Sequence, residues 1–150
     1  MKLRNVIPQD IDLVFQWAND PDTRNQSYSS NLIPYEQHRS WFHQKIEEKI
    51  DWFIAEINEI PVGIIRFDKN QDQLKVNYSI DERWRGKGLG KEIISLALNH
   101  ISLELERETT ILGFVKKNNL ASIKCFASNG FSQDEHDLES YVFRKVINND

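Results

Sequence analysis

The stretch Arg83–Ile94 reads "RWRGKGLGKEII" and places glycines at positions 86, 88 and 90 among basic residues. A helical-looking run follows at once. Glycine costs backbone entropy and weakens a helix start, so three of them indicate a backbone that needs unusual freedom or close approach to a ligand. The unpaired N–H groups and the dipole at a helix N-terminus favour an anion. The stretch therefore predicts a loop that binds phosphate or pyrophosphate.

Two common phosphate-binding patterns do not fit this loop. The P-loop needs Gly-Lys followed by Ser or Thr, whereas Lys91 is followed by Glu92, and Arg85 stands where the earlier glycine belongs. In the dinucleotide pattern GxGxxG, counted from Gly86, the third glycine would be Lys91. The strands that precede the loop also look like antiparallel hairpins rather than a βαβ unit.

The composition indicates a soluble globular protein. The chain has 150 residues, 39% apolar and 28% charged, which suits a single domain over 1–150. It has no apolar run near 18 residues and no signal-peptide core at its start, and its one cysteine excludes an internal disulfide. These features favour the cytoplasm and no membrane partner. The net charge of −4, without a basic block, gives no support to nucleic-acid binding.

Hydrophobic periodicity predicts an α/β domain in the order β-α-α-β-β-β-α-β-α-β-β. This order suits a mixed, mostly antiparallel sheet of six to seven strands flanked by about four helices. The predicted helices lie in "QDIDLVFQWAND", in "YEQHRSWFHQKIEE", after the glycine loop, and in "NLASIKCFASNG". The segment "PDTRNQSYSSNLI" between the first two helices reads as a polar loop.

The pattern Arg85-x-x-Gly88-x-Gly90, between a strand and a helix, resembles the acetyl-CoA loop of the GNAT superfamily of N-acetyltransferases. A second match, "VKKNNLASIKCFASNGF", resembles the next block of that family through Asn119, Phe126 and the Gly-Phe pair that follows. The element order agrees as well, so the resemblance covers the whole chain. Many members have a tyrosine where this chain has Phe126, and its hydroxyl is taken to protonate the departing thiolate.

The resemblance implies acetyl-CoA as cosubstrate and no metal. The glycine loop would cradle the pyrophosphate, and the strand before it would pair with the pantetheine arm. The residues implied at this site are Ser79, Ile80, Arg85, Gly86, Lys87, Gly88, Leu89, Gly90, Lys91, Asn119, Ser122 and Phe126. An amine would attack the thioester directly in a ternary complex, without an acyl-enzyme.

The general base is not evident from the resemblance. Many members carry a glutamate on the strand before the loop, but Lys75 stands at that position here. His38 is a candidate because its ordinary pKa suits proton removal, and Tyr78 is a second candidate. His38 could equally be a surface histidine on its helix, and Tyr78 a core aromatic. A water chain could also serve.

The region of the first two helices is similar to that of acetyltransferases acting on UDP-linked amino sugars, in particular those of the pseudaminic-acid pathway. The motifs are Trp-Ala-Asn-Asp-Pro, Thr-Arg, Ser-x-Ser and Glu-x-His-x-x-Trp-Phe. The acceptor residues expected are Arg24, Asn25, Ser27, Tyr28, Trp41 and Asn77. The alternatives are an acetyltransferase for the N-terminus of a ribosomal protein and a non-catalytic CoA-binding module. Whether the chain forms a homodimer stays open.

Overall fold

A computed structural model describes residues 1–27 and 29–149. In this part of the chain seven strands form one sheet in the order β1-β2-β3-β4-β5-β7-β6. The strands are β1 (Lys2–Asn5), β2 (Asp51–Ile57), β3 (Ile60–Asn70), β4 (Gln73–Ile80), β5 (Thr109–Lys116), β6 (Ser132–Glu135) and β7 (Ser140–Ile147). Five neighbouring pairs are antiparallel and the pair β4–β5 is parallel. This confirms the mixed, mostly antiparallel sheet expected from the sequence.

The strands β2, β3 and β4 form a meander through two tight turns. Asn58 and Glu59 connect β2 to β3 with φ values of 50° and 67°, and Gln71 begins the next turn with φ of 60°. Turn residues with positive φ match the right-handed twist of the strands they join. The resulting register places Trp52 opposite Arg66, and Arg66 opposite Asn77.

Five α-helices cover the two faces of the sheet. They are α1 (Ile11–Ala18), α2 (Pro21–Asn25), α3 (Tyr35–Glu48), α4 (Leu89–Ser102) and α5 (Leu120–Ser128). Residues of α1 and α3 pack on Trp52 and Ile54 of β2, whereas α4 and α5 pack on the alternate residues Phe53 and Ala55 and on their neighbours. This alternation along one strand separates a smaller core under α1 and α3 from a larger core under α4 and α5.

The helix α2 lies within the segment predicted as a polar loop, so that prediction was wrong for residues 21–25. The Asp20 carboxylate caps this helix by accepting from the Thr23 N–H at 3.1 Å, and Pro21 occupies its first turn. Both features favour a helix start. Among the described residues, no helix is both long enough and apolar enough to cross a bilayer.

The strands β4 and β5 pair at Leu74–Ile111 and Lys75–Leu112. Beyond these pairs, within the described chain, no ladder joins the rest of β4, as far as Ile80, to β5. The two strands therefore open into a cleft in the middle of the sheet. The free edge of β4 can there pair with an extended ligand, as an additional strand would.

Candidate active site

The glycine loop lies at the mouth of this cleft and ends where α4 begins. Gly86 and Gly88 have φ values of 77° and 78°, in the left-handed region that favours glycine. A Cβ added at either position would meet no atom within 4 Å. Backbone conformation, not crowding, therefore requires glycine there, and the space beside the loop is open. The first N–H groups of α4 have no acceptor within the helix and face an anion readily.

Gly90 has a different role. A Cβ built on it would lie 2.8 Å from Cys125 Sγ and 3.3 Å from Tyr78 Cε2. The distance to sulfur is too short for a carbon atom and the distance to Tyr78 is tight, so glycine lets the first turn of α4 approach α5 and β4 this closely. Asn129 strengthens the same contact, because its Nδ2 donates to the Lys91 carbonyl at 3.1 Å.

The Arg85 side chain is directed away from the open space of the loop. Its Nε donates to the Ile80 carbonyl at 3.0 Å, its Nη2 to Asp20 at 2.7 Å and its Nη1 to Asp22 at 3.1 Å. These contacts tie the glycine loop to the start of α2 and neutralise the guanidinium. The positive charge left for a phosphate on this loop comes from Lys87 and Lys91 and from the helix dipole.

The buried carboxylate of Asp81 stabilises the segment that leads from β4 to the glycine loop. Asp81 is 6% exposed and accepts from Trp17 Nε1 at 2.9 Å. The guanidinium of Arg83, together with the Trp17 bond, lowers the pKa of Asp81 to about 2 against the opposing effect of burial. Asp81 is therefore ionised at neutral pH and joins α1 to the end of β4.

The residues predicted for the cofactor at the start of α5 and along it also make contacts within the protein. Asn119 caps the helix, with its side-chain oxygen accepting from the Ser122 N–H at 3.2 Å. The Ser122 hydroxyl is 2.8 Å from the hydroxyl of Tyr78. Burial raises the pKa of Tyr78, so its hydroxyl stays protonated at neutral pH. Phe126 is 2% exposed and lies against Gly113 of β5.

A cavity of about 290 Å³ lies on the other face of the sheet, between β2–β4 and the helices α1–α3. Its floor includes the cross-strand row Trp52–Arg66–Asn77, with Ile64 and Ser79 beside it. Trp17, Thr23, Gln37, His38 and Trp41 are among the residues that form its walls. The floor ends at β4, next to the cleft between β4 and β5. An acceptor in the cavity and a thioester in the cleft would therefore meet at β4.

Four of the predicted acceptor residues line this cavity: Arg24, Ser27, Trp41 and Asn77. Asn25 is not among the described lining residues, and its carbonyl accepts from Lys116 Nζ at 2.7 Å. Tyr28 lies outside the residues that the structure describes. Ser79, predicted for the cofactor, lines the cavity as well.

The Arg24 side chain organises the loop that it belongs to. Its Nε donates to the Ala18 carbonyl at 2.7 Å and its Nη2 to the Ser27 hydroxyl at 3.2 Å. Ser27 in turn donates to the Thr23 carbonyl at 2.8 Å. Arg24 therefore shapes the cavity wall and adds positive charge to it.

Of the two candidate bases, the structure brings His38 to the cavity and not Tyr78. Tyr78 lies between Asn77 and Ser79 on β4 and so faces the opposite side of the sheet, towards α4 and α5. His38 is 1% exposed, and its Nε2 is 2.9 Å from the Ile11 carbonyl. Because a carbonyl only accepts, Nε2 carries the proton of the neutral ring and Nδ1 carries the lone pair. Burial lowers the pKa of His38, so the ring is neutral at pH 7.

The sequence predictions missed Trp52 and Arg66 on the cavity floor. Arg66 was detectable, because it is a lone cation at an alternating position in the apolar run "VGIIRF" of β3. Trp52 carried no such signal, since tryptophan is common in cores. Among the described residues that line the cavity, two are arginines and none is Asp or Glu.

Comparisons with known proteins agree with this geometry. The family model described as the acetyltransferase (GNAT) domain matches residues 1–132. The acetyltransferase PseH of Campylobacter jejuni strain 81-176 is 27% identical over 94% of this chain and 90% of its own length. The SPbeta prophage-derived uncharacterized N-acetyltransferase YokL of Bacillus subtilis is 30% identical over 97% of this chain and 82% of its own. The crystal structure of a ribosomal-protein-alanine N-acetyltransferase from Brucella melitensis superposes with a TM-score of 0.82 over 98% of this chain and 100% of that chain, at 14% identity.

Proposed function

The chain belongs to the GNAT acetyltransferases, and from this premise we propose that it acetylates the primary amine of a nucleotide-linked amino sugar. Acetyl-CoA is the cosubstrate, as in the family. The observation that carries the proposal is the acceptor cavity, which combines aromatic walls with two arginines and, among its described lining residues, no carboxylate.

The charge of the cavity favours an acceptor that is anionic away from its amine. A polyamine or an aminoglycoside would bring several positive charges towards Arg24 and Arg66, and like charges repel. The phosphates of a nucleotide sugar have the opposite sign, and Arg binds phosphate well. The similarity of the first two helices to acetyltransferases that act on UDP-linked amino sugars supports the same class of acceptor.

The fit of acetyl-CoA rests on the open space beside Gly86 and Gly88, the N-terminus of α4, and the cleft between β4 and β5. The N–H groups from Gly88 to Lys91 would bind the pyrophosphate, and the edge of β4 near Ser79 would bind the amides of the pantetheine arm. When bound, acetyl-CoA supplies an acetyl group activated as a thioester. The residues of the chain then contribute position and water exclusion, which raise the effective concentration of the amine.

Removal of a proton from the acceptor ammonium is assigned to His38. It is the titratable base among the described residues of the cavity wall, since no Asp or Glu lies there. Its lowered pKa keeps the ring unprotonated at neutral pH. The proton would go to Nδ1, while Nε2 holds the ring in place through Ile11. A chain of water molecules is the competing route.

The proposal is tested by measuring release of CoA thiol with a panel of amines under identical conditions. The panel contains a UDP-4-amino-4,6-dideoxy-sugar, a ribosomal-protein N-terminal peptide and spermidine. We expect kcat/KM for the nucleotide sugar to exceed that for the other two by at least a hundredfold. Comparable or higher kcat/KM for the peptide would favour the N-terminal acetyltransferase instead, and preference for spermidine would contradict the charge argument.

A further inference from the structure

The indole N–H of Trp52 is a buried donor for which the described part of the chain offers no hydrogen-bond acceptor. Trp52 is 4% exposed, lines the acceptor cavity, and its Nε1 has no hydrogen-bond partner among the described residues, 1–27 and 29–149. Buried donors in native proteins are nearly always paired, so an orphan at a cavity calls for an explanation. Trp17 provides the contrast, because its N–H on the same cavity wall donates to Asp81 at 2.9 Å.

A second set of unused donors lies directly beside Trp52. Arg66 is its cross-strand neighbour, and the Arg66 guanidinium carbon is 5.1 Å from the centre of the Trp41 ring. Its Nε donates to Asp68 at 3.0 Å, while Nη1 and Nη2 have no partner among the described residues. Stacking on Trp41 and the bond to Asp68 hold the guanidinium in one orientation, which leaves its outer edge for a ligand.

From this juxtaposition we propose that Trp52 and Arg66 form an oxyanion subsite in the acceptor cavity, which binds a phosphate or carboxylate of the acceptor and sets its orientation. The Trp52 N–H and the Nη1 and Nη2 groups of Arg66 are all hydrogen-bond donors, so the ligand atom that complements them is a hydrogen-bond acceptor. The arginine favours an atom with negative charge. Asp68 accepts from both Arg66 and Lys45, at 3.0 Å each, and Lys45 also lies 3.7 Å from Glu48. The contribution of Arg66 to the subsite is therefore its outward N–H donors and not a net charge of the cluster.

The position of the subsite limits the acceptor further. Arg66 lies opposite Asn77 of β4, and adjacent strands are about 4.8 Å apart. The cleft for the thioester begins on the far side of β4. The oxyanion is therefore roughly two strand spacings, about 10 Å or less, from the amine under attack. A sugar ring between an amine and a phosphate spans such a gap, whereas the carboxylate of an α-amino acid is bonded too close to its own amine.

This inference rests on the proposed function for the identity of the acceptor, but its test does not need turnover. The protein is labelled with ¹⁵N-tryptophan, which gives four indole N–H signals, and is saturated with CoA so that the glycine loop is occupied. Trp52→Phe assigns the signal of Trp52. The probes are UDP for the phosphate class and L-glutamate for the carboxylate class, with sodium chloride as the ionic-strength control.

We expect UDP to move the Trp52 indole proton downfield in a saturable way while the Trp17 signal stays in place. Arg66→Met should weaken this binding at least tenfold. Arg39→Met, which removes an exposed arginine of α3, should leave it unchanged. Arg66→Lys is the second variant should Arg66→Met fold poorly, and it should also lose affinity because lysine lacks the planar fork.

The response to the two probes identifies the source of the oxyanion. A shift with UDP alone assigns a phosphate, and a shift with glutamate alone assigns a carboxylate. A Trp52 signal unmoved by both probes, as expected if the N–H faces only the ring of Trp41, would overturn the subsite. Equal binding by wild type and both Arg66 variants would do the same. A saturable shift in a protein that does not acetylate nucleotide sugars would preserve the subsite and reject the proposed acceptor.

Discussion

Arg85 Nη2 donates to the Asp20 carboxylate at 2.7 Å, across 65 residues of sequence. The contact joins the glycine loop at the cofactor side to the N-terminus of α2 at the acceptor side. Asp20 also receives the Thr23 N–H, so one carboxylate both caps α2 and anchors it to the loop. The α2 residues Thr23 and Arg24 line the acceptor cavity. A substitution of Arg85 should therefore weaken binding of the acceptor substrate more than binding of acetyl-CoA.

We expect Arg85→Gln to raise the acceptor KM about fivefold or more, which corresponds to about 1 kcal/mol, and to change acetyl-CoA affinity less than threefold. Lys87→Gln is the matched control, because it removes a cation from the same loop without touching α2. It should weaken acetyl-CoA and leave the acceptor KM alone. Steady-state kinetics and calorimetry with acetyl-CoA measure both. The reverse pattern would show that the Arg85 charge acts on the pyrophosphate, as the sequence suggested.

The close approach at Gly90 gives a stability prediction. Gly90→Ala places a methyl group 2.8 Å from Cys125 Sγ, and overpacking of this kind costs about 1–3 kcal/mol. Cys125→Ala removes the sulfur and should recover most of that loss in the double variant, as measured by chemical denaturation. Gly86→Ala should be destabilised through its positive φ only, so Cys125→Ala should give it no recovery. Failure of Cys125→Ala to rescue Gly90→Ala would contradict the assigned packing role.

The assignment of His38 as the base predicts a pH profile. Burial disfavours the charged ring and lowers its pKa, so the base form persists below the ordinary pKa of histidine, about 6.5. In the wild type, kcat/KM should decrease only when the pH is lowered below about 6.5. His38→Gln keeps a donor for Ile11 and should lose about a hundredfold in kcat, together with this acid limb.

His43→Gln, an exposed change on the same helix, should leave kcat unaffected. Thermal denaturation separates lost chemistry from lost fold. A kcat for a folded His38→Gln within threefold of wild type would assign proton removal to water.

Local patterns were sufficient to predict most of the fold. Alternation and short turns gave the meander, and the period of Ile94, Ala97 and Leu98 gave the buried face of α4. The helix α2 was missed although Asp20-Pro21 is a good helix start, because five residues are too few to show a period. β6, with the exposed residues Ser132–Glu135, has no hydrophobic pattern and is held by pairing with β7.

The site was less predictable because its roles depend on distant partners. Nothing near Arg85 in the sequence reveals that Asp20 and Asp22 take up its guanidinium. Tyr78 is one residue from Asn77, but the alternation of the strand places it on the other face. Trp52 acquires its role only through the register that sets it opposite Arg66.

Phe126 occupies the position at which many members of the resembled family have a tyrosine. A Cβ built on Gly113 would lie 2.6 Å from Phe126 Cζ, and the Phe143 ring stacks on Phe126 at a centroid distance of 5.3 Å. The para position of the ring therefore lies close against β5. A hydroxyl added there by Phe126→Tyr must displace neighbours or remain buried without a partner, and we expect a loss of about 1–3 kcal/mol in the free energy of unfolding.

The same variant tests whether the reaction needs a proton donor at this place. A thiol has a pKa of about 8.5, so thiolate is a tolerable leaving group at neutral pH and a donor adds little. We therefore expect Phe126→Tyr to change kcat by less than about tenfold, the low side of general acid–base catalysis. Phe126→Leu is the control for packing, since it loses stability without gaining a hydroxyl. A hundredfold gain in kcat for Phe126→Tyr alone would show that the native chain lacks a donor that its chemistry requires.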